Sequence, residues 1–130
     1  MNKFKIGKKT ISDNKPTYFI ADIGANHNGS LEKAKELIYL CAESGADAAK
    51  FQHFSAKTIV SDFGFKSLKG KFSHQSKWKK SVFEVYQDAS INLNWTNILR
   101  KTCKKVGIEF FSSPYSYEMV NHLNPFVPFC

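Results

Sequence analysis

One strand-to-helix junction decides the fold, and it reads YFIADIGANHNGSL at residues 18–31. Its first half, residues 18–24, is an almost continuous apolar run closed by glycine, which is typical of a parallel strand buried on both faces. Ser30 can cap the helix that follows, because its hydroxyl can accept a backbone N–H of the first turn. Apolar residues then recur at helical spacing, and Gly45 predicts the left-handed end of the helix; they are Leu31, Ala34, Leu37, Ile38 and Cys41.

Working outward, a second strand and helix repeat this order. Residues 48–54 predict a short strand with polar side chains at alternate positions. Asn94 is expected to cap the second helix, and Gly107 to end it. The apolar face of that helix carries Trp95, Ile98, Leu99, Cys103 and Val106.

The two ends of the chain add shorter elements. Residues 4–11 alternate weakly around Gly7 and predict a short N-terminal ribbon. Residues 108–113 predict a third strand, broken by Pro114, and residues 117–123 a third helix. The last residues, 126–130, predict the start of a fourth strand.

A long insertion rich in Lys and Phe, residues 55–90, separates the second strand from the second helix, and residues 78–88 within it predict a helix. The chain carries 19 Lys plus Arg against 11 Asp plus Glu, a net charge of +8, and the insertion concentrates this charge. Its clustered lysines are Lys66, Lys69, Lys71, Lys77, Lys79 and Lys80. The stretch fits a solvated loop, a basic rim that gathers a small anionic substrate, or, least well, a nucleic-acid surface, since Arg100 is the sole arginine.

Alternating strands and helices predict an α/β fold with a parallel sheet and right-handed crossovers. An open doubly wound sheet and a (β/α)8 barrel both satisfy that pattern. The phosphate-binding patterns G-x-G-x-x-G and the P-loop are absent, which weakens a nucleotide-binding open sheet. A complete barrel needs eight units and about 250 residues. We therefore expect a partial (β/α)8 TIM barrel of three βα units plus the start of a fourth strand.

Composition narrows the class of protein. With 130 residues, 42% hydrophobic and 23% charged, the chain is one ordinary domain rather than a disordered or fibrous segment. It contains no apolar run of about 18 residues, so no transmembrane helix is predicted. The N-terminus lacks the apolar core of a secretory signal, so we expect a cytoplasmic protein. The three scattered cysteines, Cys41, Cys103 and Cys130, lack metal-binding spacing and fit a reduced compartment.

Four segments of the chain resemble the N-acetylneuraminate (sialic acid) synthase family in the family's own order. Residues 20–31 are similar to its first strand and loop, and three further matches follow at residues 45–52, 107–115 and 127–130. The resemblance covers nearly the whole chain apart from the basic insertion. It implies that residues 1–130 are the N-terminal part of a TIM barrel.

The resemblance also implies an activity. Members of the family condense phosphoenolpyruvate with an N-acyl hexosamine such as N-acetylmannosamine, which gives a nine-carbon 2-keto sugar acid and phosphate. A divalent Mn or Mg ion assists, with histidine ligands located beyond Cys130, and the full-length proteins are commonly homodimers. We expect the isolated 130 residues to turn over little or nothing. The alternatives are another TIM-barrel sugar aldolase or isomerase, and a non-catalytic basic module binding through residues 66–80. No nucleic-acid or membrane partner is expected.

Candidate catalytic residues follow from the barrel, whose active site lies at the carboxyl ends of the strands. The resemblance assigns Asp22 to the acceptor sugar and proton handling, where the family commonly carries the longer Glu. It assigns Lys50 to phosphoenolpyruvate. On the residues alone, Asp22 could instead satisfy loop amides, and Lys50 could form an ion pair. A carboxylate within so apolar a run must be paired or hydrogen-bonded.

Candidate substrate-binding residues complete the set. Gln52 lies two residues after Lys50 and so on the same face of the strand, and the resemblance assigns it to the sugar. Ser113 could bind a phosphate oxygen or simply form a local turn bond, whereas Ser112 faces the other way. Asn26 and His27 match a family hallmark: Asn26 also suits turn chemistry, and His27 could orient substrate or the carboxylate of the first strand.

We assign no metal ligand, because one histidine without a spaced partner does not make a site. The remaining histidines have no partner visible in the sequence, and we expect surface or packing roles for them; they are His53, His74 and His122.

Overall fold

The computed structural model describes residues 3–67 and 78–128. An antiparallel hairpin opens the chain, with β1 at Phe4–Ile6 and β2 at Lys9–Ile11. The hairpin turns at Gly7, which has a positive φ of +55°. A Cβ atom at Gly7 would collide with the carboxylate of Glu109, so the close approach also requires glycine. The predicted N-terminal ribbon is confirmed.

Three parallel strands form the central sheet in the order β3-β4-β5, which is also their order in the chain. They are β3 at Ile20–Gly24, β4 at Ala48–His53 and β5 at Glu109–Pro114. Sequential parallel strands joined through helices are the βαβ arrangement predicted from the alternating pattern. Pro114 is the last residue of β5 rather than a break before its end.

The first crossover helix, α1, runs from Leu31 to Glu43. As predicted, the Ser30 hydroxyl accepts the backbone N–H of Lys33 at 3.2 Å. Gly45 follows the helix with a φ of +82°, the left-handed conformation expected at this point.

The second crossover helix, α5 at Thr96–Val106, begins differently from our expectation. Asn94 does not cap it. Asn92 instead accepts the backbone N–H of Asn94 at 3.0 Å and starts a 3-10 turn at Leu93–Trp95, which leads directly into the helix. The cap therefore acts one tight turn earlier than predicted. Gly107 ends the helix as expected, with a φ of +81°.

The insertion contains three short helices in its described part: α2 at Ala56–Ile59, α3 at Asp62–Ser67 and α4 at Val82–Ala89. Helix α4 confirms that a helix forms within residues 78–88, although it starts later, at Val82. Ser81 and Glu84 form a capping box at its start.

Two of the clustered lysines in the insertion are paired with acids. Lys66 binds Asp62 at 2.7 Å and Lys80 binds Asp88 at 2.6 Å, which reduces the positive charge that these segments present. Lys79 is exposed, and Lys69, Lys71, Lys77 and His74 lie outside the described residues.

The main core lies between the sheet and helices α1 and α5. Phe51 of β4 and Phe110 of β5 stack there with ring centroids 5.8 Å apart. Burial of each large side chain contributes about 1.5–3 kcal/mol. The buried cluster is Ile23, Ala34, Ile38, Ala49, Phe51, Ile91, Leu99, Cys103, Phe110 and Leu123.

A smaller cluster joins the N-terminal hairpin to the sheet. Ile6 packs with Ala48 and Phe111, near the amino end of β4, and Ile11 and Tyr18 lie against them. The hairpin therefore covers part of the face opposite to the helices and leaves the carboxyl ends of the strands accessible.

The third helix, α6, spans Tyr117–Leu123 as predicted, with Ser116 as its N-cap. The predicted start of a fourth strand is not formed through Pro128: residues 124–126 make a turn and residues 127–128 a bend. The backbone N–H groups of Phe126 and Val127 donate to the Leu123 carbonyl at 2.8 and 3.2 Å, which curls the segment back onto the helix end. Phe129 and Cys130 lie outside the described residues. No helix in the described part of the chain is both long enough and apolar enough to cross a membrane.

Candidate active site

Asp22 and Lys50 form an ion pair across two neighbouring strands. They are partners in the parallel register of β3 and β4, and Lys50 Nζ lies 3.2 Å from Asp22 Oδ2. Asp22 is paired as expected, but it is not buried: its side chain is 55% exposed and that of Lys50 33%. The expectation that this strand is buried on both faces is wrong, because Ile20 and Asp22 are both exposed. A pair this accessible contributes little to stability and keeps both charges available to a ligand.

Gln52 borders the same space one step further along β4. Gly24, at the end of β3, has a φ of +58° and carries no side chain to fill this region. A Cβ atom placed there would lie 3.7 Å from Gln52 Oε1 and 3.8 Å from Asp22 Oδ1. The carboxamide of Gln52 and the carboxylate of Asp22 therefore converge above Gly24.

Ser113 completes this face of the sheet. It is the register partner of Gln52, as Phe111 is of Lys50. Side chains alternate along a strand, so Phe111 and Ser113 of β5 lie on the same face as Lys50 and Gln52 of β4. The structure thus brings Asp22, Lys50, Gln52 and Ser113 to one face near the carboxyl ends of three adjacent strands. We call these four residues the site face.

Asn26 and His27 lie in the loop after β3 and serve the loop itself in this structure. The Asn26 amide Nδ2 donates to the carbonyl of Ile23 at 3.0 Å, while the residue stays exposed. His27 is fully buried, accepts the backbone N–H of Gly29 through Nδ1 at 3.1 Å, and meets the ring of Trp95 edge-on at 5.9 Å. Burial lowers the pKa of His27, and Lys33 lowers it further. Neither residue joins the site face, and their substrate roles stay predictions.

A series of hydrogen-bonded polar side chains, two of them fully buried and two partly buried, lies behind the site face, and the sequence analysis missed it. His53 Nδ1 lies 2.6 Å from Ser112 Oγ, and His53 Nε2 lies 2.9 Å from Thr96 Oγ1. Thr96 Oγ1 also lies 2.9 Å from His122 Nε2. The sequence shows no partner for His53 or His122, whereas the structure gives each of them at least one; the burial of His53 agrees with the packing role expected for it. The expectation that Ser112 faces away from Ser113 agrees with its contact to His53.

The sequence did contain one signal for this series of hydrogen-bonded side chains. His53 and Ser112 each adjoin a site-face residue and so point to the opposite, helix-covered face. Thr96 and His122 come from two different helices, and only helix packing brings them to the strands. Burial lowers the pKa of His53 to about 4, with His122 and His27 adding repulsion, so this imidazole is neutral near pH 7.

We tested whether the described residues fit a metal ion. Within residues 3–67 and 78–128, no three His, Cys, Asp or Glu side chains come together in a way that could hold one. We therefore derive no step of the chemistry through a metal held by these residues.

The parallel βα units, with polar side chains at the carboxyl ends of their strands, match the opening part of a (β/α)8 barrel. The chain belongs to the NeuB family, whose model matches residues 37–129.

Several curated relatives are N,N'-diacetyllegionaminic acid, pseudaminic acid or N-acetylneuraminate-9-phosphate synthases. The chain is 38% identical to an N,N'-diacetyllegionaminic acid synthase of Campylobacter jejuni over 85% of its own length and 32% of the relative. It is 35% identical to a pseudaminic acid synthase of the same species, covering 88% of this chain and 33% of the relative. It is also 32% identical to the human N-acetylneuraminate-9-phosphate synthase, covering 88% and 31% respectively. The chain thus spans about a third of the length of these proteins.

Solved structures share the fold. The N-acetylneuraminic acid synthetase of Leptospira borgpetersenii superposes with a TM-score of 0.74 at 23% identity, covering 96% of this chain and 38% of that one. The spore coat polysaccharide biosynthesis protein SpsE of Bacillus subtilis gives a TM-score of 0.68 at 29% identity, covering 95% and 31%. The expected fold, a partial TIM barrel, is confirmed.

Proposed function

We propose that this chain supplies the first part of the active site of a synthase that condenses phosphoenolpyruvate with an N-acyl hexosamine, such as N-acetylmannosamine. The products are a nine-carbon 2-keto sugar acid and inorganic phosphate. The observation that carries the proposal is the site face itself: an accessible cation, a carboxylate, a carboxamide and a hydroxyl at the carboxyl ends of three parallel strands.

Lys50 is proposed to bind the anionic groups of phosphoenolpyruvate. Its side chain is one-third exposed, and its ammonium lies 3.2 Å from the carboxylate of Asp22, which is itself half exposed. A phosphate or carboxylate that approaches from the open side can add contacts to the free N–H groups. Ser113, the register partner of Gln52, has a hydroxyl that can donate to a phosphate oxygen on the same face.

Gln52 and Asp22 are proposed to serve the acceptor sugar. A carboxamide donates and accepts hydrogen bonds, which suits the hydroxyl and N-acyl groups of a hexosamine. In the reaction the enol carbon of phosphoenolpyruvate forms a bond to the sugar aldehyde carbon, and the aldehyde oxygen takes a proton. Water then adds to the cationic carbon and loses a proton, and phosphate leaves by C–O cleavage. We assign the handling of a proton beside the sugar to the carboxylate of Asp22, which is accessible and lies next to Gln52.

Further properties of the complete synthase are part of the same proposal. They are a divalent Mn or Mg cation with ligands outside the described residues, a homodimeric assembly and a cytoplasmic location. The cation, when bound, would act as a Lewis acid toward the aldehyde oxygen.

The test is a hybrid enzyme in which residues 1–128 replace the matching part of the Campylobacter jejuni legionaminic acid synthase. Phosphate release is measured with phosphoenolpyruvate and each of several N-acyl hexosamines, including N-acetylmannosamine and the acceptor of the parent enzyme. We expect sugar-dependent phosphate release from the hybrid and little or none from the 130 residues alone. A folded hybrid that releases no phosphate with any acceptor, or a 130-residue chain that is fully active, would contradict the proposal.

A further inference from the structure

The polar chain Ser112–His53–Thr96–His122, which we call the relay, ties together four elements directly behind the site face. Ser112 belongs to β5, His53 to β4, Thr96 to α5 and His122 to α6. His53 and Thr96 are both fully buried. The three contacts, at 2.6, 2.9 and 2.9 Å, are all within hydrogen-bond range.

Thr96 couples the two histidines because it stands between their Nε2 atoms. Its hydroxyl has one proton, so it can donate to one of the two nitrogens and must accept from the other. When both histidines are neutral, one of the two Nε2 atoms therefore carries a proton and the other does not. The tautomer of each histidine is determined by its hydrogen bonds.

Two orientations of the relay satisfy its three contacts. In the first, Ser112 donates to His53 Nδ1, His53 Nε2–H donates to Thr96, and Thr96 donates to His122 Nε2. In the second, every one of these bonds is reversed. The first gives His53 the Nε2–H tautomer and His122 the Nδ1–H tautomer, and the second gives the reverse. Both orientations keep His53 uncharged, in agreement with its pKa of about 4, and both make the two histidines opposite tautomers.

Relay and site face are adjacent in sequence on both strands. Gln52 precedes His53, and Ser112 precedes Ser113. The ladder between β4 and β5 ends at the pair His53 and Pro114, and past it the Tyr115 N–H donates to the His53 carbonyl at 3.1 Å. The side-chain bonds of the relay thus hold the strand ends at the level where Gln52 faces Ser113.

We propose that Thr96 is a positioning residue for the candidate active site: through His53 and Ser112 it holds the carboxyl ends of β4 and β5 so that Gln52 and Ser113 keep their mutual placement. The inference deepens the proposed function, because it names a residue that orders the same site without touching a substrate. A buried hydroxyl that holds two imidazoles is costly to remove, since both lose a partner at once.

The test compares three variants of the 130-residue chain. Thr96→Val removes the hydroxyl at constant shape, and Thr96→Ser keeps it. Thr102→Val makes the same change on α5 at a hydroxyl that donates to the carbonyl of Ile98 at 2.9 Å, within its own helix. Two readouts are used: side-chain ¹⁵N spectra that report histidine tautomers, and amide hydrogen exchange. The exchange rate of the Tyr115 amide is divided by that of the Ile38 amide in α1, which reports global opening.

In the parent chain and in the Ser variant we expect opposite tautomers, with Nε2–H on one of His53 and His122 and Nδ1–H on the other. In Thr96→Val the hydroxyl that couples them is lost, and both histidines should adopt Nε2–H, the form imidazole prefers in water. Exchange of the Tyr115 amide should become at least about tenfold faster relative to Ile38, and the Gln52 side-chain amide should shift. Thr102→Val should change none of these.

Unchanged tautomers or unchanged Tyr115 exchange in Thr96→Val would overturn the inference, as would equal effects of Thr102→Val or no rescue by serine. If Thr96→Val does not fold, the tautomers of the parent chain decide: the same tautomer on His53 and His122 would overturn the inference, and opposite tautomers would support it. An inactive hybrid enzyme would refute the proposed function while leaving these spectra to judge the relay.

Discussion

Lys50 Nζ and Asp22 Oδ2 lie 3.2 Å apart across neighbouring parallel strands, and both side chains remain accessible to solvent. An ion pair of this kind contributes at most about 1 kcal/mol to folding. The pair therefore matters for what it can bind, and its removal should separate activity from stability.

We predict that Lys50→Met in the hybrid enzyme lowers kcat/KM for phosphoenolpyruvate by at least about a hundredfold, because one preorganised donor to a reacting anion is lost. The melting temperature of the 130-residue chain should change by only a few degrees. Lys101→Met, at an exposed lysine on α5, is the matched control and should leave kcat/KM unchanged. Equal losses in both variants would show that Lys50 has no specific role.

Asp47 should anchor the N-terminal hairpin and the start of β3. Its side chain is 9% exposed, binds Lys9 and accepts the Phe19 N–H through Oδ2 at 2.8 Å. We predict that Asp47→Ala lowers the free energy of unfolding by about 0.5–1.5 kcal/mol, since the Phe19 amide and Lys9 exchange their carboxylate partner for water. Urea unfolding measures the change, with Asp13→Ala, at an exposed aspartate, as the control. A loss no larger than that of Asp13→Ala would contradict this assignment.

The same carboxylate predicts an acid effect. The hydrogen bonds from Lys9 and from the Phe19 amide lower the pKa of Asp47 below its ordinary value of 3.8. Its contribution is therefore complete above pH 3.8 and is lost as pH falls through the lower folded-state pKa. In Asp47→Ala the stability should fall less steeply below pH 4 than in the parent chain; an identical slope would refute the linkage.

His53 predicts a second pH dependence, in a milder range. Burial lowers its pKa from 6.5 to about 4, so the unfolded chain binds more protons than the folded chain between these values. The contribution of neutral His53 to the free energy of unfolding is fully present above pH 6.5. It declines as pH falls toward 4, by up to about 3 kcal/mol. His27 acts in the same direction. His53→Gln should therefore flatten part of the slope of unfolding free energy between pH 6.5 and 4, and an unaltered slope would contradict a buried neutral His53.

Cys103 should be chemically inert in the folded chain. It is fully buried against the core, and burial raises the pKa of its thiol to about 12. In a variant with Cys41→Ser and Cys130→Ser, reaction with an aromatic disulfide reagent at pH 8 should be about a thousandfold slower in the native than in the unfolded state, because thiolate is the nucleophile. A variant retaining only Cys41, which is partly exposed, provides the comparison and should react faster. Comparable native and unfolded rates for Cys103 would contradict the core position.

Local patterns predicted the elements well because they depend on nearest neighbours. The cap at Ser30, the left-handed glycines Gly45 and Gly107 and the bounds of α6 required only the chemistry of adjacent residues. The prediction that Asn94 caps the second crossover helix was wrong, because a 3-10 turn at Leu93–Trp95 precedes that helix. Sequence pattern alone does not distinguish a 3-10 turn from the first turn of an α-helix. The prediction of a fourth strand was wrong as far as Pro128, because the backbone N–H groups of residues 126 and 127 donate to the carbonyl at the end of α6.

The sequence by itself determined the parallel βα order and the alternation that assigns Lys50 and Gln52 to one face and His53 to the other, since both follow from backbone periodicity. Only the tertiary structure decided that Asp22 is paired with Lys50 yet half exposed, that His27 is buried against Trp95, and that Thr96 and His122 reach His53. Those facts depend on how strands and helices that are distant in sequence pack together. The spacing of residues along the chain does not give the distances between them in space.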